Sequence, residues 1–463
     1  MDDTAAHDGE LDGDVLDRVG RRGERIGAEH DEVGELAHGD RALLGFFKRS
    51  VGAAERPNPQ RLRRRDALRG AVDFALSAAA LCTGGAQAQS GNPIKIGFVT
   101  ELTGPWTFFG TSCVAGLKMA TDEINKAGGV LKRPLEFIVT DNQTNSSQAL
   151  AASRNLDVND KVLALSGPTS SDVALAMYGY AEQQKLPFLV PVAAFPQLTK
   201  PGTKYTFRIE PDAAGWGYAM AKYIEQVKPG AKVALMHSDA ALMRAIMAGF
   251  RYQAPRSKLS IVSDILFPQG SSDATVQAAQ VRASNPDYVI VSGAGAFDNV
   301  LTNQLLDLGI KPQQIIHPYG ITTQVFGWGS RSVGSIYGTF FDHGIDALTK
   351  EGKDFISRFD AANGRPPSYV ENYCYVTPYI FKEAIEKAGT ADDREKLRNA
   401  LSALKTKEHT TGVPIEFDKN GARKEYMYFM EIQSVNGKRT YQSKQRYYIE
   451  WDPEVIPVYD LVK

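Results

Sequence analysis

The sequence predicts an α/β chain of two lobes, each a largely parallel sheet covered by helices. Apolar strand-like runs alternate with amphipathic helical runs from residue 94 onward, the pattern that a sheet buried on both faces requires. The alternation completes one set and restarts near residue 212. With 463 residues the chain has room for about two to three domains.

The elements follow in order. "IKIGFVT" (94–100) alternates into a strand, and a Gly/Pro loop leads to the helix "TSCVAGLKMATDEINKAGG", closed by Gly128 and Gly129. "LEFIVTD" (135–141) is the next strand, followed by a helix from about Ser146 and a strand ending at Ser166. A helix begins near Asp172, and "PFLVPVA" (187–193) completes the set. The second set runs from a helix after Asp212 through "KVALMHS" (232–238), a helix from Ala240, and "LSIVSDILF" (259–267). A helix from Asp273, "DYVIVSG" (287–293) and a helix through Leu308 continue it. "GSIYGTFF" (334–341), helical stretches at 369–388 and 392–404, and the antiparallel strands "EYMYFMEIQ" and "KQRYYIEW" remain to be placed.

The first ninety residues differ from this body. Residues 1–60 are rich in Asp, Glu, Arg and Gly with little apolar periodicity, and read as a disordered or mis-assigned upstream extension. Residues 61–88 have the order of an export signal: arginines at 61–69, an apolar core at 71–81, and Ala86-Gln87-Ala88 as a cleavage site. The mature chain is expected to begin at or near Gln89, with Sec and twin-arginine export both open.

Composition excludes several classes of function. A net charge of −1 with no basic block in the body makes nucleic acid a poor partner, and no apolar run reaches the roughly 20 residues of a membrane span. Cys82, Cys113 and Cys374 make no metal spacing. Cys113 and Cys374 read as buried small apolar residues, with a disulfide between them as the lesser alternative. There is no phosphate loop, no H-E-x-x-H and no G-x-S-x-G elbow, and "SGAGAFDN" lacks the third glycine of a dinucleotide site. His237 and His317 fall at strand ends, where a structural role outweighs a place in a cleft. No enzyme, cofactor or metal is expected.

The most suggestive stretch is "LSGPTSSDV", where an apolar strand runs into Ser166-Gly167-Pro168-Thr169-Ser170-Ser171 and then into a helix. Strand-end loops opening a helix offer hydroxyls and backbone N–H groups to an anion, although Ser170 or Ser171 as a simple helix cap is the rival. The loops 101–110 and 192–197 lie at the same carboxyl edge by strand order, where open α/β sheets bind ligands.

"IKIGFVTELTGPWTFFGTSCVAGLKMATDEINKAGGVLKRPLEFIVTDNQTNSSQALA", "SGPTSSDVALAM", "KLPFLVP", "FPQLT", "YTFRIEPD", "NPDYVIVSG", "NQLLDLGI" and "AIEKAG" together resemble the leucine/branched-chain amino-acid-binding family of ABC-importer receptors. The resemblance runs from residue 93 to the C-terminus. It implies a type I periplasmic binding fold with three hinge crossings, near 208–212, 338–344 and 417–428. Lobe 1 would be 91–210 with 342–420, and lobe 2 would be 211–341 with 421–463. It also implies a monomer in the periplasm that closes over a ligand and meets an inner-membrane permease.

For the site, the resemblance implies that Thr169, Ser170 and Ser171 hold a ligand carboxylate, and that Phe109, flanked by Trp106, covers its apolar body. Val192 belongs to a second pocket loop. Trp216 and Tyr218 open the helix after the first crossing and are candidates for the cleft, with packing in the helical core as the rival. Where the family holds an α-ammonium with a carboxylate, a loop hydroxyl and a tyrosine, this chain has Tyr319, Ala194 and Leu242. The expected solute is therefore a small apolar or aromatic carboxylate without an ammonium. An ordinary leucine/isoleucine/valine receptor, or a sensor built on the same fold, stands as the alternative.

Overall fold

The computed structural model describes residues 91–293, 297–320, 329–341 and 349–449. The expected export signal and the upstream extension lie outside the described residues.

The first sheet is built from β1 (Ile94–Thr100), β2 (Leu135–Asp141), β3 (Ala164–Ser166), β4 (Phe188–Val190) and β5 (Thr206–Arg208). All five are parallel, in the order β2-β1-β3-β4-β5. Parallel strands need crossovers, supplied by α1 (Thr107–Lys126), α2 (Ser146–Val158) and α3 (Ser171–Gln184). β4 stops at Val190 rather than running to 193, because Pro191 has no N–H for the ladder. The three-residue β5 is too short to announce itself in the sequence.

The second sheet begins after α4 (Ala213–Val227). It contains β6 (Lys232–Ser238), β7 (Ser260–Phe267), β8 (Tyr288–Ser292), β9 (Ile315–His317) and β10 (Ile336–Thr339), with helices α5 (Ala241–Gln253), α6 (Thr275–Ala283) and α7 (Asp298–Asp307) between them. β13 (Tyr426–Val435) and β14 (Lys438–Tyr448) return to this sheet as an antiparallel hairpin, giving the order β14-β13-β10-β9-β8-β6-β7. Their two-residue turn is Asn436-Gly437, both at positive φ, as the twist of a tight hairpin demands. Between β10 and β13 in sequence lie α8 (Lys350–Asn363), α9 (Tyr369–Ala388), α10 (Arg394–Ser402) and the small pair β11 (Lys405–Glu408) and β12 (Pro414–Glu416).

Helix α9 returns to the first lobe and packs along α1, so closely that Gly116 touches the Glu371 backbone. This proximity corrects the cysteine reading: Cys113 on α1 and Cys374 on α9 form a disulfide, their Cα atoms 5.1 Å apart across 261 residues of sequence. Both are fully buried, which is why they read as apolar core.

The chain joins the lobes at a braced hinge. Arg208 N–H donates to the Gly421 carbonyl at 2.8 Å, tying the first crossing to the third. The buried Arg208 guanidinium reaches the Glu210 carbonyl, Thr199 Oγ1 at 3.0 Å and Asp212 at 3.5 Å. On the third crossing Arg423 pairs with Glu425, which also accepts from the Tyr373 hydroxyl at 2.7 Å.

Candidate functional site

The carboxyl ends of β1 and β3 lie side by side, with Phe98 paired to Ser166. Gly167 turns the loop at φ +81°, and a Cβ there would strike the Val99 carbonyl. The loop can therefore press against the end of β1, where Glu101 follows Thr100. Gly110 in α1 serves the same closeness from the other side, lying against the Glu101 backbone with no room for a side chain.

The donors that the sequence offered to a ligand anion meet Glu101. Its fully buried carboxylate accepts from Thr169 N–H at 3.0 Å, Thr169 Oγ1 at 2.6 Å and Ser170 N–H at 3.2 Å. Asn142 Nδ2 at 3.1 Å and Thr100 Oγ1 at 3.3 Å complete the shell. Ser170 occupies the N-cap position of α3 without a side-chain capping bond. The Ser171 hydroxyl accepts from Ala194 N–H at 3.3 Å, joining the two pocket loops.

One residue further, Asp172 reaches across to the other lobe. Its Oδ2 accepts from Ala241 N–H at 3.2 Å, at the start of α5, whose own cap residue Ala240 has no side chain to offer. Burial raises the Asp172 pKa, while the Ala241 N–H and Arg244 pull it back. The lobes are closed on each other.

Aromatic rings line the closed cleft. Phe109 meets Trp106 at 4.9 Å and Tyr319 of the second lobe at 5.7 Å. Trp216 follows at 6.4 Å from Tyr319, and packs on Phe340 at 4.9 Å. Phe340 in turn contacts Tyr369 at 5.5 Å and Tyr373 at 6.5 Å. The Trp216 indole N–H is used internally, donating to the Pro211 carbonyl at 3.1 Å, and the Tyr319 hydroxyl accepts from Ser292 Oγ at 3.2 Å. Thus Trp106, Phe109, Trp216 and Tyr319 come together, and Val192, Ala194 and Leu242 are buried. Phe108 turns outward, 38% exposed, and Tyr218 is only partly buried. His237 sits in an ion network with Arg251 and Asp264, away from these rings.

Three participants escaped the sequence reading. Phe340 and Tyr369 come from far along the chain. Glu210, on the first crossing, is fully buried and neither carboxylate oxygen has a hydrogen-bond partner among the described residues. Burial pushes its pKa well up, against the pull of Arg208 and with the help of Glu425. It lies near the Tyr369 hydroxyl, whose pKa burial pushes well up, with Glu210 and Tyr319 adding to the shift. The Trp106 indole N–H likewise lacks a partner among the described residues.

Two sheets joined by a braced hinge, with aromatic rings from both lobes meeting between them, define a bilobed α/β binding fold. The chain belongs to the periplasmic binding protein family, whose model matches residues 93–439. It is similar to the Leu/Ile/Val-binding protein BraC3 of Rhizobium johnstonii, 26% identical over 310 residues that cover 66% of this chain and 83% of that one. Among solved structures it resembles the branched-chain amino-acid transporter substrate-binding protein LivJ of Streptococcus pneumoniae in complex with isoleucine (TM-score 0.68, 25% identity, covering 76% of this chain and 99% of that one). It shares the fold of an R. palustris ABC-transporter solute-binding protein in complex with 4-hydroxybenzoate (TM-score 0.70, 20% identity, covering 79% of this chain and 100% of that one). The chain is a substrate-binding protein of the ABC-transporter type, not an enzyme.

Proposed function

We propose that this protein is the periplasmic receptor of an ABC importer for a small aromatic or branched apolar solute, which it encloses between its lobes and presents to an inner-membrane permease. The wall of rings from Phe109 through Tyr319 and Trp216 to Phe340 carries the reading. Such faces suit another ring or a branched body, each ring pair contributing about 0.5–1.5 kcal/mol beyond its buried area. The carboxylate expected on the solute from the sequence depends on the α3 loop, whose occupancy by Glu101 is taken up below.

A second reading, a leucine/isoleucine/valine receptor, is favoured by the names of the relatives. Tyr319, Ala194 and Leu242 weigh against it, because none of the three offers a charge to an ammonium at the position where an amino acid's would lie. Mass spectrometry of the solute that co-purifies tests both, followed by thermal shifts with aromatic solutes and with leucine, isoleucine and valine at equal concentration. Ligand at about 100 times its Kd stabilises the fold by about 2.7 kcal/mol. A large shift with leucine and none with any ring-bearing solute would overturn the proposal.

A further inference from the structure

We propose that Glu101 is a specificity-determining residue that fills the anion loop from within, so that the solute's polar end is a hydrogen-bond donor read by Glu210 and not a carboxylate. This rests on the cleft being the solute site, as proposed above.

Two observations carry it. Five hydrogen bonds, two of them from the backbone N–H groups of Thr169 and Ser170, are spent on one buried side chain of the same lobe. A solute carboxylate entering here would find those amides taken and a second carboxylate beside it, and like charges in a buried site disfavour each other strongly. Independently, the cleft's other end presents Glu210, fully buried with both oxygens unpartnered among the described residues. Burial favours the protonated Glu210 carboxyl, whose carbonyl oxygen still accepts, and a donor brought by the solute removes the cost of leaving that acceptor unmade. The terminal nitrogens of the two buried cations are spent, those of Arg208 on the Glu210 carbonyl, Thr199 and Asp212 and that of Arg423 on Glu425, which leaves each only its Nε–H without a partner among the described residues. The unpartnered Trp106 N–H is a single neutral donor. It suits an amide or ether oxygen on the solute better than a full anionic charge, which in buried sites is met by charged or multiple donors. The class that fits is an aromatic amine, amide or phenol.

The test is calorimetric titration of solute-free protein with three probes that share one ring: benzoate, benzamide and benzylamine. Wild type is expected to bind benzamide or benzylamine at least tenfold more tightly than benzoate. E101A, which releases the Thr169 and Ser170 amides, is expected to gain benzoate affinity by at least tenfold. E101Q keeps the side-chain shape and removes the charge, so it provides the same readout, with a smaller gain, should E101A fold poorly. E210Q is expected to lower benzylamine affinity while leaving benzoate unchanged. If wild type binds none of the three but E101A gains benzoate, the ring-lined cleft and the filled loop stand, and the reading of a donor by Glu210 is overturned. If wild type prefers benzoate, or if neither Glu101 variant gains it, the inference is overturned.

Discussion

The N-termini of α3 and α5 meet across the cleft, and a carboxylate serves each of them in a different way. At α3, Glu101 bonds the loop amides from within its own lobe, and all its donors (Thr100, Asn142, Thr169 and Ser170) lie on the first sheet's side. That arrangement draws on nothing from the second lobe. At α5, the acceptor is Asp172 of the opposite lobe, and it reaches Ala241 only while the lobes touch. The same interaction, an anion at a helix N-terminus, is made within one lobe in one place and between the lobes in the other, where it is expected to act as a latch. Position relative to the hinge decides which.

Acid is expected to act most strongly on the sheet that carries Tyr319, whichever carboxylate serves the helix N-termini. Burial holds the His317 pKa down to about 3, against 6.5 for the free side chain, and holds His409 down to about 4. The unfolded chain takes up these protons below about pH 6.5 and the folded chain does not, so stability falls as pH drops from about 6.5 towards 3. His317 alone accounts for about 4 kcal/mol over that window. Urea melts at pH 7 and pH 4.5 measure it. H317Q is expected to flatten the dependence, and an unchanged slope would move the acid sensitivity elsewhere.

The next largest effect should come from the frame that holds Glu101. C113S with C374S removes the tie between α1 and α9, at a cost of about 3 kcal/mol. Solute preference is expected to stay the same, because the loop's hydrogen bonds remain in place. A changed preference would show that the loop depends on the staple.

Removing Glu101 itself is expected to cost about 2 kcal/mol in E101A, as buried amides lose their acceptor. Urea melts without solute report it, and benzoate should restore part of the loss. No destabilisation would mean that the loop is satisfied without Glu101.

The smallest effect should belong to the latch. D172A is expected to weaken solute binding about tenfold, about 1.4 kcal/mol, while the solute-free protein melts nearly as before. Titration combined with small-angle X-ray scattering separates the two, since the variant's solute-bound form should populate the open shape more. A stability loss equal to the affinity loss would make Asp172 an ordinary part of the fold.

The alternation of apolar strands and amphipathic helices determined the two-lobed α/β class, because residues 94–100 or 232–238 show their period locally. The loop at 166–171 was legible as a cluster of donors for the same reason: a strand end, small hydroxylic residues and a helix start are neighbours in sequence. What fills that loop was not legible. Glu101 stands 68 residues before Thr169, and only the pairing of β1 with β3 brings it there. The charge after an apolar strand was a visible signal, but nothing local says that it turns inward. Cys113 and Cys374 gave the same ambiguity, since a buried thiol and a buried half-cystine have the same surroundings in sequence. Asp172 read as a first-turn residue of α3, and its second role depends on lobe closure. Period, capping and loop composition are short-range properties that a sequence carries by itself. Which carboxylate meets which donor is set by the packing of distant segments, and the tertiary structure alone decides it.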